Sequence, residues 1–312
     1  MKILIFGAGV QGTLCSVRLV RAGHDVTLIA RGRRAAELRE IGATIRDLRS
    51  GVTDAVATPV SQTLAPDASA DLCFIFVRRE QIDEILPAMQ AASRVGRFVC
   101  MFNHANGSEF LFNALGKQRV VLGFPGAAGS IEDGIVSYLN IPEQPTVIER
   151  TAPDVAALLK QAGFRVSLVA DMDAWLKRHA VFITAVAGAL HLVDGDMRRL
   201  AADPSRVREM ILAVREGWHA LDHLHVAPAP LALRSIFSWV PLPFAVSYWR
   251  KLLASDRGEI YFARHGRHAV AEMAVIADDV RGLIGPAPAP NLQMLYDGID
   301  AAAKSLGNRA AY

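Results

Sequence analysis

The stretch MKILIFGAGVQGTLCSVRLVRAGHDVTLIARGRR, residues 1–34, decides the fold of this chain. Lys2–Phe6 is an apolar run of strand type that leads into GAGVQG, and a helical pattern of apolar residues follows it. Gly23-His24 predicts the end of that helix, and Asp25–Ala30 predicts a second buried strand. Strand, Gly-x-Gly-x-x-Gly, helix and strand in this order are the context in which the motif binds dinucleotides.

Each glycine of the motif has a steric role. Gly7 allows a tight turn, Gly9 lets a pyrophosphate approach the backbone, and Gly12 allows the helix to pack closely on the strand. The helix N-terminus favours an anion, because it carries free N–H groups and the positive end of the helix dipole. A glycine-rich turn without a ligand is the alternative. We predict that the whole motif binds the cofactor: Gly7, Ala8, Gly9, Val10, Gln11 and Gly12.

The end of the second strand selects the cofactor. NAD sites usually carry Asp or Glu there, whereas NADP sites accommodate a 2′-phosphate with arginine. Here the strand is followed by Arg31-Gly32-Arg33-Arg34, and the first carboxylate is that of Glu37. Arg31 can bind the phosphate through a charge-assisted fork, so the sequence predicts NADP (NADPH). A solvated, basic first turn of the next helix is the alternative, and it accounts for Arg33 or Arg34.

Composition excludes several classes of protein. The 312 residues are 52% hydrophobic and 21% charged, which excludes a disordered chain and suits two domains. A net charge of +3 argues for a phosphorylated small molecule rather than nucleic acid. No segment reaches about 18 uninterrupted apolar residues, so no membrane span is predicted. Met1 leads directly into a strand, which predicts no signal peptide and a cytoplasmic protein.

The two halves of the chain differ in pattern. Over residues 1–168 strands alternate with helices, which predicts an α/β domain: a Rossmann-type, doubly wound, mostly parallel sheet with helices on both faces. After this the pattern is helical only, over residues 173–193, 204–224, 242–256, 258–284 and 290–306. We therefore predict an NADP-binding domain at 1–168 and an all-helical substrate and dimerisation domain at 169–312.

Polar residues follow two predicted strands at the edge where open α/β sheets bind ligands. Arg78 comes after the strand at 72–77, and Asn103 comes after the strand at 97–102. The amide of Asn103 can hydrogen-bond a nicotinamide ribose or a substrate, although ordinary turn chemistry explains an asparagine there equally well. We predict that Arg78 and Asn103 contribute to the cofactor site, and that Asn103 also contacts the substrate.

A lysine stands at the beginning of an unusual helix. Residues 180–190 are apolar or small on every side, which predicts a buried central helix. Lys177 just before them is a candidate general acid or carboxylate anchor. A lysine that extends from the helix end to solvent is the alternative. Arg178 and His179 are its neighbours, so the sequence leaves open which cation faces the cleft.

Other groups are assigned no chemistry. Three cysteines lie in apolar patterns without metal-ligand spacing, which predicts buried, reduced thiols: Cys15, Cys73 and Cys100. His265, His268 and Glu272 recur at helical spacing, but such residues are usually structural, and we predict no metal site. The apolar, aromatic segment 235–249 lacks a flanking basic face. It predicts a subunit interface, and hence a homodimer, or a lid over the substrate, rather than a membrane contact.

The sequence resembles the ketopantoate reductase family, the 2-dehydropantoate 2-reductases. The resemblance rests on the glycine motif, on the strand that ends Ala30-Arg31-Gly32, on Val77-Arg78 where the family usually has Val-Lys, and on Asn103. It implies that NADPH reduces the 2-keto group of ketopantoate to a 2-hydroxy acid, a step of pantothenate biosynthesis. It also implies that Arg78 and Asn103 line the nicotinamide end of a cleft between the domains.

The resemblance extends to the helical half. Trp175-Leu176-Lys177 matches a family Trp-x-Lys motif, which implies that Lys177 is the general acid on the ketone oxygen. Ser247 and Glu259 keep the family's interval of twelve residues between a serine and a glutamate. It implies that both contact the substrate, with Glu259 in the catalytic centre.

Two positions depart from the family pattern. The family carries asparagines four and eight residues after the lysine, whereas this chain has Val181 and Ala185. Losing amides that bind hydroxyl groups changes substrate choice. The chain thus resembles a divergent member, whose substrate is another 2-keto acid or a bulkier, more apolar ketone. An NADPH-binding regulator or sensor without catalysis, and a reductase of a different carbonyl or an imine, are the alternatives.

Overall fold

A computed structural model describes residues 1–228, 234–263, 267 and 269–310. The chain forms two compact units, of which the first comprises residues 1–102 and 108–172. The second comprises residues 103–107 and the chain from Asp173 onward. Each unit has its own hydrophobic core. The predicted fold class, an α/β unit with a mostly parallel sheet followed by a helical region, is confirmed.

The first unit contains twelve strands, numbered in chain order: β1 (Lys2–Phe6), β2 (Asp25–Ile29), β3 (Ala43–Asp47), β4 (Thr53–Val56), β5 (Val60–Ser61), β6 (Ala70–Ile75), β7 (Val95–Cys100), β8 (Val120–Phe124), β9 (Ala127–Glu132), β10 (Ile135–Asn140), β11 (Thr146–Glu149) and β12 (Val166–Val169). Eight of them form one sheet in the order β12-β11-β8-β7-β6-β1-β2-β5. Neighbours pair in parallel except β8 and β11. Its central strands bury Ile3, Ile5 and Phe74 completely, as parallel strands covered on both faces require.

The remaining four strands form a second sheet, in the order β4-β3-β10-β9. The alternation of strands and helices over residues 1–168 predicts one sheet, and this prediction is wrong for these four strands. The reason is local, because β9 and β10 pair as a hairpin around Asp133-Gly134, whose φ angles of 49° and 76° match the Asp-Gly turn of tight hairpins. Two strands joined by such a short turn pair directly with each other, so no helix is needed between them.

Five helices complete the first unit: α1 (Val10–Arg21), α2 (Gly32–Ile41), α3 (Ile82–Ala91), α4 (Glu109–Leu115) and α5 (Pro153–Gln161). Helix α1 contacts strands of both sheets, so Leu14, Cys15 and Val17 are almost fully buried. All three cysteines are free and buried, as predicted. Burial raises the pKa of the Cys15, Cys73 and Cys100 thiols far above the ordinary value.

The described part of the second unit contains six helices longer than one turn: α6 (Met172–His191), α7 (Met197–Ala202), α8 (Pro204–His223), α9 (Leu242–Leu253), α10 (Val270–Ile284) and α11 (Pro290–Ala310). Helix α6 is the predicted buried central helix. Gly188 allows it to cross α11 closely, since a Cβ there would lie 2.5 Å from Leu295 O. The hydroxyls of Thr184 and Tyr296 are hydrogen-bonded at 2.8 Å within the same contact. No helix in the described ranges is long and apolar enough to cross a membrane.

The predicted continuous helix at 258–284 is wrong. A π-helical turn occupies Glu259–Ala263, and Ala269 has non-helical angles (φ −114°, ψ 34°) just before α10 begins. The wider turn lets Phe262 pack against the rings of Phe182 and Trp249. The apolar periodicity of the sequence continues through the break, so it could not reveal the break. His265 and His268 lie outside the described residues.

Candidate functional site

An open cleft of about 530 Å³ lies in the first unit, at the carboxyl ends of three neighbouring strands. Its walls are the residues that follow β1, β2 and β6, together with the tip of the β9–β10 hairpin. Five of the predicted cofactor-binding residues line it: Gly7, Ala8, Gly9, Arg31 and Arg78. Residues from three separate parts of the sequence therefore meet at the edge where open α/β sheets bind nucleotides.

The three glycines of the motif have distinct surroundings. Gly7 has φ +97°, and a Cβ there would lie 2.2 Å from Phe76 O. A Cβ on Gly12 would lie 1.8 Å from Gly7 O, so the start of α1 packs directly on the turn. Gly9 differs, because a Cβ there would meet no atom of the described residues within 4 Å. The first and third glycines are required by packing, whereas the second leaves open space in the cleft wall.

Helix α1 begins at this wall with Gly9 as its N-cap. No side chain accepts a hydrogen bond at that cap, and the first turn holds no acidic residue. Gln11 points elsewhere, since its Nε2 donates to Ala127 O of β9 at 2.6 Å. The helix start thus presents backbone N–H groups and a positive dipole without a competing carboxylate, which suits a pyrophosphate.

The basic residues after β2 divide into different roles. The guanidinium of Arg34 is mostly buried and donates to Ala8 O at 2.9 Å, Gly134 O at 2.8 Å and Thr13 Oγ1 at 3.0 Å. Arg34 therefore fastens the glycine loop to the β9–β10 hairpin. The side chain of Arg33 is 93% exposed, so the solvated first turn anticipated from the sequence holds for Arg33.

Replacing Arg34 by methionine should lower the free energy of unfolding by about 2–4 kcal/mol, because buried carbonyls lose their donors. Arg33→Met is the matched control, and it should change this free energy by no more than about 0.5 kcal/mol. Chemical denaturation of both variants measures the difference. Equal effects of the two substitutions would contradict the structural role of Arg34.

Arg31 has an acidic partner that sequence reasoning missed. Its Nη1 lies 2.6 Å from Oε1 of Glu84, in the first turn of α3, and both side chains are more than half exposed. The hydrogen bond from Arg31 holds the pKa of Glu84 below its usual value. The two residues are 53 positions apart in the sequence, so no local signal reveals the pair. Part of the fork that could bind a 2′-phosphate is thus engaged by a carboxylate.

The three adjacent cations of α6 have different environments. Arg178 is 3% exposed, and it donates to Trp218 O and Val226 O, both at 2.7 Å, and to Asp222 Oδ1 at 2.5 Å. His179 is buried, with its ring stacked 4.8 Å from that of Trp175. Lys177 keeps some exposure and forms an ion pair with Asp173, Nζ to Oδ2 2.5 Å. Of these three basic residues, Lys177 is the one whose side chain retains access to solvent.

Asn103 carries a buried polar atom that has no hydrogen-bond partner among the described residues. The residue is 7% exposed, and its Oδ1 accepts no hydrogen bond from the described residues. Such atoms are rare in folded proteins and call for a donor. A ligand N–H or O–H can supply it, which fits the role predicted for this residue.

The two remaining predicted substrate residues, Ser247 and Glu259, have different surroundings. Ser247 is exposed on α9, and Glu259 forms an ion pair with Arg267. Within the described ranges, no hydrogen bond or ion pair joins Glu259 to Ser247 or Lys177. Val181 and Ala185, which replace the family asparagines, are fully buried in the helical core.

Known proteins resemble the chain both in sequence and in fold. Residues 3–152 match the model of the family described as ketopantoate reductase PanE/ApbA. A 2-dehydropantoate 2-reductase of Pyrococcus horikoshii is 32% identical over 149 residues, which cover 48% of this chain and 44% of the relative. Another from Lactococcus lactis subsp. lactis is 21% identical over 228 residues, 69% of this chain and 71% of the relative. The resemblance predicted from the motifs is confirmed.

Solved structures share the fold along nearly the whole chain. A D-mandelate dehydrogenase, solved with NADH and anilino(oxo)acetate, has a TM-score of 0.76 at 16% identity and covers 98% of this chain and 99% of its own. A PanE/ApbA family ketopantoate reductase from Ralstonia eutropha JMP134 has a TM-score of 0.75 at 20% identity, covering 96% and 98%. At these identities the likeness shows the fold alone.

Proposed function

We propose that the chain reduces a 2-keto acid to a 2-hydroxy acid with NADPH, because residues 3–152 match the model of the ketopantoate reductase family. The observation that carries this proposal is the cleft of the first unit. It combines an uncapped helix N-terminus, the open face of Gly9, and the cations Arg31 and Arg78. Pyrophosphate binds at the first two features, Arg31 binds the 2′-phosphate, and Arg78 lines the nicotinamide end of the site.

When bound, the nicotinamide supplies a hydride to the keto carbon. Lys177 donates a proton from Nζ to the keto oxygen, so that the carbonyl becomes a hydroxyl. Asp173 holds the ammonium group in place through the 2.5 Å ion pair. Asn103 accepts a hydrogen bond from the nicotinamide side or the substrate, and Ser247 and Glu259 position the substrate.

The substrate class follows from the two positions that depart from the family. Val181 and Ala185 offer no amide and are wholly buried, so they cannot bind a hydroxyl group of the substrate. A site without these donors does not reject a substrate that lacks the hydroxyls. We propose a 2-keto acid with an apolar side chain as the preferred substrate, and ketopantoate as a poor one.

The test is NADPH oxidation, followed by nicotinamide absorbance, with ketopantoate and with apolar and aromatic 2-keto acids. Turnover that is fastest on an apolar acid supports the whole proposal. If turnover is fastest on ketopantoate, the proposed reaction stands and the proposed substrate class is wrong. A regulator without catalysis is the second candidate, favoured because, within the described ranges, no hydrogen bond or ion pair joins Glu259 to Ser247 or Lys177. NADPH binding without reduction of any of the acids would favour this regulator.

Glu84→Gln should strengthen the binding of NADPH relative to NADH several-fold, because the substitution frees Arg31 and removes a charge that repels the 2′-phosphate. Arg31→Ala should weaken NADPH binding at least tenfold and affect NADH much less. Fluorescence titration of the two cofactors measures both ratios without any substrate. An unchanged ratio in Glu84→Gln would show that the ion pair does not influence cofactor choice.

Two further expectations belong to this proposal. A cytoplasmic location is proposed from the sequence. A homodimer is proposed because the segment 235–249 exposes Trp239, Phe244 and Tyr248, which are 58%, 70% and 44% exposed. Large exposed aromatic side chains that lie together often mark an interface. Sedimentation velocity measures the oligomeric state directly.

A further inference from the structure

Two histidines outside the candidate cofactor site face each other on α8. His219 and His223 are four residues apart, so they lie on the same face of the helix. Both are exposed, and their Nε2 atoms are 3.0 Å apart with the rings inclined at 75°. We propose that this pair is a two-nitrogen site for a divalent transition-metal ion such as Cu²⁺, Ni²⁺ or Zn²⁺.

The distance between the two nitrogens is compatible with a shared metal ion. Imidazole nitrogens bind zinc at about 2.0–2.1 Å. Two nitrogens at that distance and 3.0 Å from each other subtend an angle of about 91–97° at the metal. This angle lies close to the octahedral value. Imidazole is also the side chain that suits Zn²⁺, Cu²⁺ and Ni²⁺.

The position on the helix adds an electrostatic contribution. His223 is the last residue of α8, where the helix dipole and the free carbonyls favour a positive charge. Among the described residues, no group of three or more potential ligands is arranged to hold a metal. The site is therefore a bidentate one, in which water molecules complete the coordination of the ion.

The bound metal would brace a turn that supports the candidate catalytic lysine. His219 directly follows Trp218, and His223 directly follows Asp222. Trp218 and Asp222 are the residues of α8 that accept hydrogen bonds from Arg178, the neighbour of Lys177. A metal that joins residues 219 and 223 cross-links this last turn, and it stabilises the folded state because the unfolded chain does not hold the pair together.

Calorimetric titration of protein without a histidine tag, with Ni²⁺ alone, tests the proposal. We expect wild-type protein to bind one equivalent that His219→Gln and His223→Gln each weaken at least tenfold. The matched control is His225→Asn, because His225 is also exposed and has φ 57°, a conformation that asparagine tolerates. This variant should bind Ni²⁺ like the wild type.

Other potential metal-binding groups are identical in wild type and variants, including the Met1 amino group 3.5 Å from His24 Nδ1. The loss of one equivalent therefore identifies the pair. Electron paramagnetic resonance with Cu²⁺ should show two nitrogen ligands in the wild type and fewer in the single variants. Equal Ni²⁺ binding by wild type and both variants, or no binding at all, would overturn the proposal. The 3.0 Å contact would then be a hydrogen bond between two rings. Neither result depends on reductase activity.

Discussion

Lys177→Ala should lower kcat/KM for the preferred 2-keto acid by about 100-fold or more, the loss typical of a removed general acid, while NADPH binding stays unchanged. The structure favours Lys177 over its neighbours as the proton donor. The guanidinium of Arg178 donates hydrogen bonds to carbonyl and carboxylate acceptors, and the ring of His179 is stacked on Trp175. Steady-state kinetics and NADPH titration of the same preparation measure the two effects.

Lys251→Ala is the matched control, since Lys251 is an exposed lysine on α9 that the proposal assigns no role. It should leave both quantities unchanged. Full turnover by Lys177→Ala would exclude this lysine as proton donor, whereas a large loss of NADPH binding would indicate a role in the cofactor site instead.

Gly9→Ala should abolish most NADPH binding with little change in stability, whereas Gly12→Ala should unfold or strongly destabilise the first unit. A Cβ on Gly9 enters open space beside the helix N-terminus, where the pyrophosphate is expected, so binding should weaken at least tenfold. A Cβ on Gly12 would lie 1.8 Å from Gly7 O. Overpacking against backbone of this kind costs about 3 kcal/mol.

Denaturant unfolding and NADPH titration of both variants separate the two effects. Normal NADPH binding by Gly9→Ala would contradict the placement of the pyrophosphate in this cleft. Wild-type stability of Gly12→Ala would contradict the close contact between α1 and the turn. In either case the outcome does not depend on which keto acid is reduced.

The sequence predicted those features that depend on neighbouring residues. The glycine motif, the flanking strands and the buried helix at 180–190 follow from local periodicity and from the steric demands of glycine. The second sheet was missed, because β3 and β10 pair over about ninety residues, and periodicity carries no information about partners. The break before Val270 was missed because its apolar pattern continues unchanged.

The candidate site was predictable to a similar extent. Arg31 was identified by its position at a strand end, but its partner Glu84 was not, because the pairing depends on how α3 is placed. Arg34 resembled a solvated arginine in the sequence, but its guanidinium joins the glycine loop to the β9–β10 hairpin through hydrogen bonds. The roles of Lys177, Ser247 and Glu259 stay predictions that rest on the family resemblance.

The hydrogen bonds that Arg34 donates have a consequence for the order of folding. Its two carbonyl acceptors, Ala8 O and Gly134 O, lie 26 and 100 residues away along the chain. Contacts of such long sequence separation form late, since the entropy of closing the intervening loop is lost first. The glycine loop precedes the β9–β10 hairpin by more than a hundred residues, yet it reaches its final conformation only after that hairpin has been synthesised.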